Sequence, residues 1–128
     1  MISARALFVA QRYSAVLLAP MVLVHLLVIV LAVRNGLSAD EILGRTRGNV
    51  FWFWFYLLFV LAASVHAPIG VRNILNEWTP LPMRTVNHLC AGLAVLLFGF
   101  GLRAVIACLL YTSPSPRDRT RSRMPSSA

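Results

Sequence analysis

The sequence has no lysine, only four acidic residues and few charges of any kind. Charged residues make up 12% of the chain and apolar residues 59%, whereas soluble globular domains carry about 25% charged residues. This scarcity of charge predicts a membrane protein. The basic residues are all arginines, and they flank apolar runs or lie near the C-terminus. Outside residues 112–128 no basic stretch is interleaved with aromatic residues, so nucleic-acid binding is not expected.

The chain also lacks the cysteine patterns that hold iron–sulfur clusters or covalently attached haem. Cys90 and Cys108 lie 18 residues apart in one apolar segment, which is roughly 27 Å along a helix, so they cannot bond to each other. There is no CxxC or CxxCH motif,. A nucleophile–base constellation, a phosphate-binding loop and paired intramembrane carboxylates are missing as well. The sequence therefore does not predict a catalytic centre of its own.

What the sequence does contain is three apolar runs long enough to cross a bilayer. About 20 apolar residues span the hydrocarbon core, and the runs predict transmembrane helices at about residues 13–33, 50–74 and 86–108. The expected fold class is all-α: three transmembrane helices in an up-down-up bundle, forming one domain over residues 1–111. This order puts the N-terminus and the connection between the second and third helices on the same side of the membrane.

The remaining segments are predicted to be irregular or short. Residues 1–12 are expected to be a polar leader, and a capping box from Ser38 to Glu41 predicts a brief interfacial helix in the first connection. Residues 76–84 are expected to be a loop with two prolines. Residues 112–128 are rich in Ser, Pro and Arg, which predicts a disordered basic tail. This tail resembles translated sequencing-adaptor read-through and is interpreted as non-native; the alternative is a genuine basic tail.

A histidine interrupts the second apolar run near its end. His66 shares one helix face with Ala62 and Gly70, because residues four apart lie one turn apart. An ionisable residue at membrane depth is a functional-site hypothesis by default. The small neighbours leave room for a flat ligand such as haem, and Arg72, roughly 9 Å further along the helix, would meet its propionates at the interface. The combination favours a haem ligand over a hydrogen-bonded core histidine.

Other polar residues are weaker candidates. Arg12 and Ser14, where the first apolar run begins, suggest a polar pocket in which a quinone carbonyl accepts a hydrogen bond; the alternative is an anchoring arginine and an incidental serine. His25 lies deeper than His66, and three interpretations stay open: a ligand of the same iron if the helices tilt, a ligand of a second haem, or a structural histidine. His88 lies near the start of the third helix, where an interfacial histidine is ordinary.

At these positions the sequence resembles the cytochrome b556 membrane-anchor subunits of succinate dehydrogenase and their fumarate reductase relatives. The family's second helix ends with His-x3-Gly-x-Arg-His-x3-Asp, and residues 66–77 read HAPIGVRNILNE. Its first helix opens with His-Arg-x-Ser-Gly, and residues 11–15 read QRYSA. The likeness covers about residues 5–108. Gln11 and Asn73 replace two family histidines, which weakens the contacts expected to propionate and quinone.

The resemblance implies a non-catalytic anchor in the bacterial inner membrane, multi-pass and with a cytoplasmic N-terminus. It implies haem b held by His66, with Arg12 near the propionate and the quinone and Ser14 as the motif serine. Succinate would be oxidised in a separate flavoprotein subunit, and electrons would pass through an iron–sulfur subunit to quinone. The sixth haem ligand would come from a second anchor subunit, a second copy of the chain or His25.

Two other functions stay open at this point. One is a membrane cytochrome b-type carrier serving a different flavoprotein dehydrogenase, such as one for tricarballylate. The other is a structural helix-bundle subunit without a cofactor. Within the favoured interpretation the direction, succinate oxidation or fumarate reduction, is also open, because both directions use the same parts.

Overall fold

The computed structural model describes residues 3–36, 41 and 48–109. These residues form three long α-helices and no strand: α1 is Ala4–Arg34, α2 is Val50–Trp78 and α3 is Met83–Leu109. All three are long and apolar enough to cross a membrane. The predicted all-α bundle of three membrane-spanning helices is confirmed. The predicted C-terminal tail, and all of the predicted interfacial helix except Glu41, lie outside the described residues.

Polar side chains set the ends of the first two helices. The hydroxyl of Ser3 accepts a hydrogen bond from the backbone N–H of Ala6 at 3.2 Å, and Asn49 Oδ1 accepts one from the N–H of Phe51 at 2.9 Å. Both satisfy N–H groups that the first helical turn leaves free. Because Ser3 caps it, α1 begins at Ala4 and includes most of the segment that the sequence predicted as a polar leader.

The connection between α2 and α3 is shorter than predicted. Helix α2 continues to Trp78, and only residues 79–82 separate it from α3. Thr79 closes α2 by donating its hydroxyl to the carbonyl oxygen of Leu75 at 2.6 Å. The two prolines then stop the helix from continuing, and the carbonyl oxygen of Pro82 accepts hydrogen bonds from the N–H groups of Thr85 and Val86 in the first turn of α3.

Prolines inside the helices do not end them. Pro20 lies within α1 and Pro68 within α2. A proline removes one backbone hydrogen bond, but the flanking bonds persist because a hydrocarbon environment offers no water to replace them. Pro68 is buried, and α2 runs ten residues beyond it.

Helix α2 lies between the other two helices. The extensive helix–helix contacts are those of α2 with α1 and of α2 with α3. Gln11 of α1 meets Asn73 of α2, and Arg72 of α2 meets Asn87 of α3. Successive helices are therefore antiparallel, and the start of α1 lies at the same end as the turn between α2 and α3. We call this end, marked by these four residues, the polar end.

Few side chains are buried, and most of these are small. Among the described residues the buried apolar ones are Met21, Ala32, Ala62, Pro68, Ile69, Val86, Cys90 and Val105, while most of the large apolar side chains point outward. A helix that is apolar all round is typical of a lipid-embedded bundle. Arg103 is exposed near the end of α3.

A glycine permits the close approach of α3 to α2. A Cβ added to Gly101 would lie 2.5 Å from Val60 Cγ1 and 2.9 Å from Val60 Cγ2, whereas a Cβ on Gly92 or Gly99 would meet nothing within 4 Å. The methyl groups of valine are held by one preferred rotamer in a helix, so they cannot easily move aside. Gly101 is thus the glycine of α3 that the contact requires.

Gly101→Ala is expected to destabilise the bundle by about 1–3 kcal/mol, because the added methyl group overpacks the contact with Val60. Gly99→Ala is the matched control: it adds the same methyl group to open space and should be neutral or slightly stabilising, since alanine favours a helix. Thermal unfolding of the purified chain in detergent micelles compares the two. Equal midpoints for both variants would contradict the assigned contact.

Candidate functional site

His66 lies where α1 packs on α2, and α1 holds it through one ring nitrogen. The Nδ1 atom is 3.3 Å from the backbone carbonyl oxygen of Gln11 and 3.4 Å from Oγ of Ser14. The ring is half-buried. Its hydrogen bonds to the described residues all use Nδ1, so Nε2 is the nitrogen left for a ligand.

Ser14 faces inward at this contact. Its side chain is buried, with 7% of the residue exposed. The hydroxyl oxygen lies 2.7 Å from the carbonyl oxygen of Ala10 and 3.0 Å from that of Gln11, as serines within apolar helices often bond to the preceding turn. The structure therefore puts this predicted quinone ligand between two helices and beside His66.

Arg12 faces the other way. It is exposed, and its guanidinium carbon lies 5.3 Å from the ring centroid of Phe8, one turn earlier on α1. This is cation–π geometry. Residues two apart on a helix differ by about 200° in direction, so Arg12 and Ser14 occupy different faces of α1. The structure does not bring these two predicted quinone ligands together.

Two amides close the polar end of the contact. Asn73 Nδ2 donates a hydrogen bond to Gln11 Oε1 at 2.9 Å. Gly70 lies against the same glutamine, since a Cβ there would be 3.5 Å from Gln11 Nε2. Gln11 of α1 thus lies beside Gly70, on the side where the sequence predicted room for a flat ligand. We call Gln11, Ser14, His66 and Asn73 together the polar seam.

Asn73 lies seven residues after His66 and so on the same face of α2,, but the sequence gives no sign of its partner. The two positions at which amides replace family histidines, Gln11 and Asn73, bond to each other. Such a pairing joins distant parts of the chain, and no local pattern reveals it. A signal did exist in hindsight: both positions replace histidines by amides, and amides are complementary hydrogen-bonding groups.

Arg72 lies on the α3 side of α2. Its Nε donates to Asn87 Oδ1 at 2.8 Å, and the residue is half-buried. This bond fixes the guanidinium plane, and it is the one hydrogen bond of Arg72 to the part of the chain that the structure describes. The terminal NH2 groups remain for an anion. The sequence gave no indication of Asn87, whose neighbour His88 is exposed.

His25 lies deeper in the bundle than His66. Its Nδ1 is buried and has no hydrogen-bond partner among the described residues. The ring contacts Tyr56 edge-on, with ring centroids 5.8 Å apart, and Phe59 at 5.6 Å. These aromatic residues precede His66 on α2 by roughly 10–15 Å of helix. In this arrangement His25 and His66 do not face a common iron.

No group of three or more His, Cys, Asp or Glu residues that would hold a metal ion is found in residues 3–36, 41 and 48–109. A haem site does not require such a group, because the porphyrin supplies the equatorial ligands and the protein supplies axial ones. The donor set present, a histidine oriented through Nδ1 with an arginine at the polar end, fits that requirement.

Asn73→Ala is expected to lower the free energy of unfolding by about 1–3 kcal/mol, because it leaves the part-buried Gln11 amide without its partner. Asn76→Ala is the matched control, since Asn76 is an exposed amide on the same helix. In a double-mutant cycle in micelles, Gln11→Ala and Asn73→Ala should be less than additive. Strict additivity would show that the hydrogen bond contributes nothing.

Comparisons with known proteins bear on the family. No curated protein and no solved structure matches the chain significantly. The sequence profile of the family described as "Succinate dehydrogenase/Fumarate reductase transmembrane subunit" matches residues 3–101. That range contains all of α1 and α2, most of α3 and the whole polar seam. The resemblance noted in the sequence is confirmed, and the chain belongs to the family of transmembrane subunits of succinate dehydrogenase and fumarate reductase.

Proposed function

We propose that this chain is the non-catalytic membrane anchor of a succinate:quinone oxidoreductase and that it binds haem b through Nε2 of His66. The main support for the proposal is the hydrogen bonding of the two ring nitrogens of His66. Helix α1 presents two oxygen atoms to Nδ1, while Nε2 makes no hydrogen bond to a described residue. A metal-binding histidine commonly has this arrangement, with one nitrogen anchored and the other free.

The residues around His66 suit a haem in further respects. The surrounding helices are apolar and long enough to cross a membrane. Arg72 lies six residues beyond His66 towards the polar end, and its guanidinium, oriented by Asn87, would bind a propionate carboxylate. Gly70 lies one helical turn beyond His66 and faces α1, with Gln11 Nε2 3.5 Å from the position of a Cβ there. Haem, when bound, accepts and donates single electrons between the iron–sulfur subunit and quinone.

We place the second axial ligand outside this chain. His25 contacts Tyr56 and Phe59, at a depth that does not match His66, so the proposed donor is a second anchor subunit or a second copy of the chain. The outward apolar side chains of all three helices offer such a partner an ample surface. His25 remains a candidate ligand for a second haem, since its Nδ1 is buried and has no hydrogen-bond partner among the described residues.

The quinone is proposed to bind at the polar end, where Arg12 donates a hydrogen bond to its carbonyl. Arg12 is exposed, whereas the hydroxyl of Ser14 is turned into the helix contact. The iron–sulfur and flavoprotein subunits would dock at the same end. The family resemblance favours a cytoplasmic N-terminus in a bacterial inner membrane. The positive-inside rule does not decide the orientation, because the arginines at positions 5, 12, 72 and 84 are nearly balanced by those at positions 34, 45 and 47, at the end of α1 and in the connection that follows it.

His66→Ala is expected to abolish a b-type band in dithionite-reduced minus oxidised spectra of membranes that carry the whole complex, because the axial nitrogen is lost. His88→Ala should leave the band intact, since His88 is exposed on α3. His25→Ala should also retain a band from the His66 haem. A band that survives His66→Ala, or a wild-type complex without any band, would refute the haem assignment.

Arg12→Gln is expected to raise the KM for quinone roughly tenfold, because a hydrogen bond from a charged donor is worth about 1.5 kcal/mol. Arg5→Gln removes the same charge from the same end of α1 and should change KM little. Succinate-dependent quinone reduction in membranes gives both values, with the b-type band as a measure of intact complex. Equal effects of the two variants would indicate a general charge effect in place of a quinone contact.

A further inference from the structure

We propose that Ser14 is a positioning residue: together with the backbone carbonyl of Gln11, its hydroxyl oxygen keeps the ring proton of His66 on Nδ1, so that Nε2 carries the free lone pair. This inference rests on the proposed function for the identity of the metal. The protonation of the two ring nitrogens is a property of the chain alone. It assigns Ser14 to the histidine and not to the quinone.

The argument begins with the single proton of the Ser14 hydroxyl. Two carbonyl oxygens of its own helix lie within reach, that of Ala10 at 2.7 Å and that of Gln11 at 3.0 Å. A hydroxyl donates one hydrogen bond and accepts through two lone pairs, and the shorter distance assigns the proton to Ala10. The Ser14 oxygen then faces His66 Nδ1, 3.4 Å away, as an acceptor.

The second group at Nδ1 cannot donate at all. The backbone carbonyl of Gln11 is an acceptor with two lone pairs, and it lies 3.3 Å from Nδ1. The two distances are nearly equal and both are long for hydrogen bonds, as expected when one N–H is shared between two acceptors. An unprotonated Nδ1 would point its lone pair at two oxygen atoms, which is repulsive. The neutral ring is therefore protonated at Nδ1.

Burial strengthens the preference for a proton on Nδ1. Ser14 is 7% exposed, so water cannot rotate its hydroxyl away from Ala10 by offering a competing bond. On the α2 side, the nearby amide of Asn73 is engaged by the Gln11 side chain. Among the residues described, Nδ1 has hydrogen-bond partners only in Ser14 and Gln11, and both accept from it.

The consequence for a bound metal follows from general coordination chemistry. A histidine that donates its other N–H to an oxygen acceptor is fixed in orientation and becomes a more basic ligand. A more basic axial ligand stabilises the ferric state and lowers the reduction potential, which second-shell hydrogen bonds are known to tune. Losing the Ser14 acceptor should therefore move the potential of a His66-bound haem to more positive values.

The first test needs no haem. The full chain, labelled with 15N in its histidine rings and reconstituted in lipid bilayers, is compared by NMR with Ser14→Ala, Ser14→Cys and Ser14→Thr; His66→Gln identifies the His66 signals. Wild type and Ser14→Thr should show Nδ1 protonated and Nε2 unprotonated. Ser14→Ala and Ser14→Cys, the latter similar in size but a weak acceptor, should populate the opposite tautomer in part, since the Gln11 carbonyl remains as an acceptor for Nδ1. Protonated Nε2 in wild type, or no change in either variant, would overturn the inference.

The second test is a redox titration of the b-type band in membranes that carry the complex. Ser14→Ala and Ser14→Cys should shift the potential upward, and Ser14→Thr should restore it. A merely structural role would reduce the amount of haem and leave its potential unchanged, which would count against the inference. A band that survives His66→Ala would instead refute the proposed function. The NMR measurement of the tautomer is independent of that outcome.

Discussion

A polar atom inside a bilayer finds no water, so it must be satisfied by another part of the protein, and in this chain that requirement is met where α1 crosses α2. Along the polar seam Gln11 bonds to Asn73, and the Gln11 carbonyl and Ser14 face His66. Polar contacts are specific in a way that contacts between apolar helices are not. They set the depth and rotation of α1 on α2, and with them the surroundings of the histidine on which the proposed function depends.

The central position of α2 divides its polar residues between two neighbours. His66 and Asn73 face α1, whereas Arg72 reaches Asn87 on α3. A histidine and an arginine six residues apart are thus oriented by different helices, and each keeps donor or acceptor capacity free. The close approach of α3 at Gly101 and Val60, some distance from the polar end, keeps this three-helix arrangement together. The site is in this sense a product of both helix contacts.

Much of the fold was predictable, because hydropathy and helix length are local properties. Three apolar runs led directly to three membrane helices, and the misjudged boundaries have local explanations. Helix α1 begins earlier because Ser3 caps it, and α2 ends later because Thr79 and the prolines close it after Trp78. The site was predictable only in part. The spacing of His66, Gly70 and Arg72 was visible, but the pairing of Gln11 with Asn73 joins residues 62 positions apart and leaves no local trace.

The sequence by itself determined that the chain is a three-helix membrane protein and placed His66, Gly70 and Arg72 in a family motif, because composition and the helical repeat act within one segment. Only the tertiary structure decided which face of α1 meets α2. That packing faces Ser14 towards His66 and Arg12 outward, and it places Gln11 beside Gly70 and His25 at another depth. Helix rotation and register depend on contacts between distant segments, and for that reason no single apolar run contains them.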